Sequence, residues 1–179
     1  LIRQSRTCNR LNVLFDFLRQ KGLHEEERSF FELVPALTHS ITPMGPTIGT
    51  PAQPMGLAFD NKGNLFYADQ ENHHVLGISQ SGECLSKFGG WGNGPGKFQY
   101  PVSLQIDRQD NIYVVDMSNQ RIQKFSPNGD FILSFGGCEE KKQRLGVVFS
   151  SSIDNKNNLW VADTSHHRIQ IYDSNGNLT

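Results

Sequence analysis

With 179 residues, 36% hydrophobic and 20% charged side chains, the chain is long enough to bury a core and has the composition of an ordinary globular protein, which by itself names no function. Its formal net charge of -1, divided as +1 over residues 1–45 and -2 over the remainder, excludes a broad polybasic field for nucleic acid or anionic membrane and leaves local basic patches open. Cys8, Cys84 and Cys138 lie far apart with no CxxC pair, which argues against a zinc knuckle or disulfide scaffold and mildly favours a reducing, cytoplasmic compartment. No segment approaches the roughly 18 apolar residues of a membrane span, and the opening LIRQSRTC lacks the apolar region of a signal peptide.

In chain order, Leu11, Leu14, Phe15 and Leu18, then Phe30, Phe31 and Val34, recur at helical spacings with Gly22 between them. The pattern predicts a helical segment over residues 1–35, with one helix near 9–20 and a second near 25–34 that Pro35 ends. Its apolar face reads as a packing surface. Residues 36–53, with Pro43, Pro46, Pro51 and several Gly, Ser and Thr, read as a linker.

From Pro54 onward the chain repeats itself every 47 residues without insertion or deletion. GNLFYADQENHHVLGI from Gly63, DNIYVVDMSNQRIQKF from Asp110 and NNLWVADTSHHRIQIY from Asn157 superpose, and Asp60, Asp107 and Asp154 keep the same offset. In the second unit, strands are predicted near 102–107, 111–116, 121–126 and 130–135; the first unit repeats them at 57–60, 64–69, 74–79 and 83–88, and the third reaches its fourth strand near Asn177. Ile112 and Val114 point to one side of their strand and Tyr113 and Val115 to the other, so both faces are apolar and the sheet belongs in a stack covered on both sides. A period of this length with about four short strands per unit predicts an all-β fold, a partial β-propeller of four-stranded antiparallel blades at about 54–100, 101–147 and 148–179, the last incomplete. Because closed rings have about four to eight blades, the chain is expected to be a piece of a larger propeller whose remaining blades are its first partners, and to be unstable as an isolated monomer.

The motif residues resemble the NHL repeat, whose units run roughly P-x-G-I-A-V-D, G-N-I-Y-V-A-D, N-H-R-I-Q-V-F and G-x-F-L-x-x-F-G. Pro54, Gly56, Asp60, Asn64, Asp69, Asn72 and His73 carry it in the first unit, Pro101, Asp107, Asp116, Asn119, Arg121 and Gln123 in the second, and Asp163, His167, Arg168 and Gln170 in the third. His74 and Val75 depart from the usual Arg and Ile, Gln120 from His, and VVFSSSID opens the third unit weakly. GGWGNGPGKF from Gly89 is similar to the inter-blade loop of animal tripartite-motif NHL proteins. That resemblance implies a propeller binding RNA or protein, in parents that are typically ubiquitin ligases with upstream zinc-binding parts; no ligase activity attaches to this chain itself.

Among residues with chemistry, Asp69, Asp116 and Asp163 repeat at one blade position, which favours a structural role over catalysis: each accepts turn N–H groups or pairs with Arg121 or Arg168. His73, His74, His166 and His167 look like metal ligands on paper, but adjacent histidines do not supply three convergent donors. The glycine-rich stretch lacks the G-K-[ST] ending of a phosphate loop and reads as turn geometry. No nucleophile elbow or H-E-x-x-H motif occurs.

The surface expected to act is the end that collects the second-to-third-strand loops and the inter-blade loops: Gln70, Glu71, His73, Ser118, Asn119, Gln120, Ser165, His166 and His167, with Lys97, Phe98, Gln99 and Tyr100 nearby. Amides, imidazoles and an exposed aromatic suit single-stranded RNA bases and equally suit a peptide. The function expected from sequence is thus a non-catalytic module binding a protein or RNA partner, with no cofactor and no membrane; the alternatives are a piece of a metal-dependent propeller enzyme of amidating-lyase type, with ligands from His73 or His166, or of an extracellular protein.

Overall fold

The computed structural model describes residues 53–137 and 144–179. The chain divides into two units, Leu1–Thr42 and Pro43–Thr179, and every described residue belongs to the second. Three antiparallel meanders follow one another: β1 (Pro54–Phe59), β2 (Leu65–Asp69), β3 (His74–Ile78) and β4 (Cys84–Gly89); β5 (Pro101–Ile106), β6 (Ile112–Asp116), β7 (Arg121–Phe125) and β8 (Phe131–Phe135); β9 (Val148–Ile153), β10 (Leu159–Asp163) and β11 (Arg168–Tyr172). In the third sheet a fourth strand only begins, where Leu178 bridges Tyr172 and Thr179 N–H donates to Ile171. The third sheet thus has three full strands, in keeping with the incomplete last unit expected from the sequence. Among the described residues the only helical element is a three-residue 3-10 turn, Thr164–His166, so the described fold is all-β and includes no helical segment of the kind expected. The expected helices near 9–20 and 25–34 and nearly all of the linker lie outside the described residues.

The repeat in the sequence is a repeat of backbone geometry. Positive φ recurs at Gly63, Asp110 and Asn157 in the first turn of each sheet, at His73, Gln120 and His167 in the second, and at Gly82, Gly129 and Gly176 in the third. Left-handed backbone costs little for Gly and Asn, which explains the turn residues chosen at most of these places. Each first turn is locked by an aspartate. Asp60 accepts the N–H groups of Lys62 and Asn64, Asp107 those of Gln109 and Asn111, and Asp154 those of Lys156 and Asn158, all at 2.8–2.9 Å.

The sheets stack face to face through two apolar clusters. Phe66, Val75, Phe98, Leu104, Ile112, Val114 and Phe125 fill the space between the first and second sheets. Tyr113, Val115, Ile122, Phe135, Leu159, Val161 and Tyr172 fill that between the second and third. Strand β6 feeds both and is buried at every position, as alternation of side chains in a covered sheet requires. At the two ends of the stack, Leu57 and Ile169 are exposed, whereas their middle-sheet equivalents Leu104 and Ile122 are buried.

The innermost strands β1, β5 and β9 lie side by side. Gly56 permits the first of these contacts, since a Cβ there would fall 2.6 Å from the Leu104 nitrogen and 2.7 Å from Ser103 Cα. Gly56→Ala is expected to destabilise the protein by about 1–3 kcal/mol, because backbone cannot yield as a side chain can. An unchanged urea midpoint would show that the two strands part freely.

Candidate functional site

Loops gather at the end of the stack where β1, β5 and β9 begin. There each sheet contributes the turn after its second strand, joined by the connection 90–100 and by residues 136–137 and 144–147. Three buried aspartates organise this end. Asp69 accepts the Gln53 N–H at 3.3 Å, Asp116 the Gln99 N–H at 2.7 Å and Asp163 the Gly146 N–H at 2.9 Å, so each carboxylate ties its second strand to the chain entering its own sheet. Arg121 Nε and Arg168 Nε each donate to their aspartate at 2.9 Å. Burial pushes the Asp116 carboxyl up, against the donors that surround it.

Arg121 also shapes the glycine-rich connection. Its guanidinium donates to the carbonyls of Asn93 at 2.7 Å and of Gly94 and Lys97 at 2.8 Å, while Asn119 Nδ2 donates to Gly92 at 3.0 Å. These glycine carbonyls face a cation of the protein, so the loop is a turn and not a phosphate cradle. It holds Trp91 outward at 60% exposure, edge-on to His73 with ring centroids 4.6 Å apart. Tyr100, 39% exposed, packs edge-on to the same imidazole at 5.0 Å, and its N–H donates to His73 Nδ1 at 3.2 Å. That bond places the proton of neutral His73 on Nε2.

One sheet along, Gln120 Oε1 accepts Arg144 NH2 at 3.2 Å. In the third turn His166 Nδ1 sits 2.9 Å from Asp163 Oδ2, and Ser165 Oγ accepts the Val147 N–H. Gln70, Glu71, Ser118 and His167 occupy the turns at this end; Gln70 is partly buried and Glu71, Ser118 and His167 are exposed. Phe98 does not share their exposure. It is fully buried between Phe88 and Phe125, and Lys97 Nζ is turned back onto the Gly89 carbonyl at 3.0 Å. His74 is partly buried, and burial followed by the nearby Lys87 charge lowers its pKa, keeping it neutral. Trp91 and Arg144 were not singled out from sequence; the signal for Trp91 was a large aromatic amid five glycines.

Stacked antiparallel sheets with inner strands side by side and loops gathered at one end define a β-propeller. The chain belongs to the DUF5128 family, 6-bladed beta-propeller, whose model matches residues 55–172. Comparison with the curated proteins gives no match. Among solved structures, the chain is similar to a catalytically inactive histidine-to-alanine form of virginiamycin B lyase from Staphylococcus aureus with Quinupristin, at 17% identity and a TM-score of 0.59 over 77% of this chain and 42% of that one. A streptogramin B lyase matches at 14% identity and a TM-score of 0.55, over 72% of this chain and 40% of that one. Kuenenia stuttgartiensis hydrazine synthase matches at 13% and 0.56, over 74% and 36%. The chain thus spans about two fifths of the length of these structures, and the likeness is one of fold.

These findings correct the resemblance drawn from sequence. The family is the 6-bladed propeller and not the NHL or tripartite-motif group, and the ubiquitin-ligase and zinc-binding expectations fall with it. The physical reason lies in the motif residues themselves: Asp60, Asn64, Asp69, Asn72 and their equivalents lock turns, so they identify blades rather than one family of blades. The expectation of a non-catalytic, non-enzymatic module loses its ground too, since it rested on that resemblance and the propellers similar in fold include lyases. The metal-dependent alternative finds no donor set: among the described residues no three His, Cys, Asp or Glu side chains converge. No helix among them is long and apolar enough to cross a membrane.

Proposed function

We propose that the chain is part of a propeller enzyme of lyase type, with the loop end as its substrate-bearing face. The observation that carries this reading is segregation of chemistry: Trp91, Tyr100, His73, Arg144 and His166 gather at one end, while Asp60, Asp107 and Asp154 at the other are occupied in locking turns. A lyase needs a rigid seat for its substrate and a group that takes up a proton. The Arg121-pinned loop supplies the seat, with Trp91 presenting an apolar face. Further sheets completing the six-bladed ring and a small organic substrate are the partners this reading requires.

Quinupristin, the compound held by the virginiamycin B lyase, is the probe. The intact protein is expected to convert it with turnover, followed chromatographically, and Trp91→Ala to lower kcat/KM about tenfold, mostly through KM, as loss of an aromatic contact does. Absence of any conversion would reject the lyase reading.

A further inference from the structure

Trp91, His73 and Tyr100 pack as one cluster at the first junction between sheets, with ring centroids 4.6, 5.0 and 6.1 Å apart and each pair edge-on. The scaffold does not require these rings, since the same repeat positions at the next junction hold Cys138, Gln120 and Val147. Tyr100 even carries a cost: its backbone is left-handed at φ 57°, a conformation rare for a bulky side chain and one that Val147 does not share. The connection that bears Trp91 is fixed by the Trp91 bridge to Phe98 and by the Arg121 guanidinium. The rings are thus held in one arrangement at the surface, with Trp91 60% and Tyr100 39% exposed.

The polar groups of this platform are of one kind. Neutral His73 keeps its proton on Nε2, because Nδ1 accepts the Tyr100 N–H. That N–H, Trp91 Nε1–H and Tyr100 Oη–H meet no acceptor among the described residues and are left for a ligand or for water. The loop's backbone acceptors are spent inward. The carbonyls of Gly92, Asn93, Gly94 and Lys97 receive Asn119 Nδ2 and the Arg121 guanidinium, that of Gly89 receives Lys97 Nζ, and that of Gly90 the Phe98 N–H. Apolar rings with donors outward and carbonyls inward match a ligand that is apolar and rich in acceptors. A proline-rich chain is such a ligand, because each proline lacks an N–H and presents a compact ring beside a carbonyl that the polyproline II helix leaves unpaired. Nucleobases and sugars bring donors as well, and those would find the loop's carbonyls taken.

We propose that Trp91, His73 and Tyr100 bind a proline-rich segment of a partner protein. The pyrrolidine rings lie on the Trp91 and Tyr100 rings while the outward donors bond the carbonyls of the extended helix, which is ordered before it binds and so loses little entropy. Glu71, exposed two residues before His73, favours a basic residue beside the prolines. This does not rest on the lyase reading, because it is read as binding without turnover, and either can fail alone.

The test titrates the intact protein with a synthetic polyproline peptide of about ten residues ending in arginine, about three turns of the helix. Calorimetry and the Trp91 indole N–H resonance follow the binding. The peptide is expected to saturate one site and to shift that resonance, and a peptide of the same length with alanine for proline to do neither. Trp91→Ala should weaken binding by about tenfold or more at an unchanged thermal midpoint, as for an exposed aromatic at the centre of a contact, and Trp91→Phe should recover part of the loss. Tyr100→Phe, which keeps the ring and removes only the donor, should weaken binding about twofold to tenfold. No binding by the intact protein, equal binding of the alanine peptide, or native affinity in Trp91→Ala overturns the proposal. So does a short single-stranded RNA or an oligosaccharide that shifts the Trp91 resonance where the polyproline peptide does not.

Discussion

Asp116→Ala is expected to destabilise the intact protein by about 3–5 kcal/mol, the cost of breaking a buried ion pair from one side. Asp116 is fully buried and accepts from Gln99 N–H, Asn119 Nδ2, Arg121 Nε and Gln123 Nε2 at 2.7, 2.8, 2.9 and 3.3 Å. Alanine leaves a largely buried guanidinium without its counter-charge and the Gln99 N–H without a partner, both costly away from water. The loss reaches the loop face, because the same Arg121 pins the 90–100 connection and thereby Trp91. Asp116→Asn retains the size and some acceptors, so it should cost less. Urea unfolding measures both; a loss below about 1 kcal/mol for alanine would mean that the carbonyl contacts alone hold Arg121 in place.

Phe98→Ala is expected to cost about 3–5 kcal/mol, the range for removing a buried aromatic ring. The ring comes from an inter-sheet connection, yet it is fully buried, with centroids 6.5 Å from Phe88 and 5.5 Å from Phe125. It plugs the cluster between the first two sheets, so the cavity would open where two blades meet and should lower the unfolding midpoint of both together. Phe98→Leu, which fills much of the volume, should recover most of the loss. An alanine variant as stable as the native protein would mean that Phe88 and Phe125 close over the gap.

Strand positions and two-sided burial were legible because they depend on local patterns: alternation in IYVVD sends side chains to two faces, and the turn aspartates bond to N–H groups two and four residues on. Family was not legible, since those same residues serve any blade of this geometry. Which turns share an end was legible too, as strand direction alone decides it. Which side chains stay exposed there was not, because Phe98 is buried by a sheet beginning at Pro101 and by its neighbour, and adjacency in sequence says nothing of either. Arg144 was missed for the same reason: its partner, Gln120, is 24 residues away. The Asp163–His166 pair left a trace in the register, where Asn, Asn and His occupy one column. Read as half of a histidine pair, His166 resembled a metal ligand; in the structure it takes the place of Asn72 and Asn119 against its own aspartate, Asp163.

Hydrogen exchange of the intact protein with and without quinupristin tests most directly the claim that one end of the propeller bears the substrate. Protection is predicted in residues 70–73, 90–100, 144–147 and 164–167, with the turns at 60–63, 107–110 and 154–157 unchanged. Protection confined to those opposite turns, or none at saturating ligand, would contradict it.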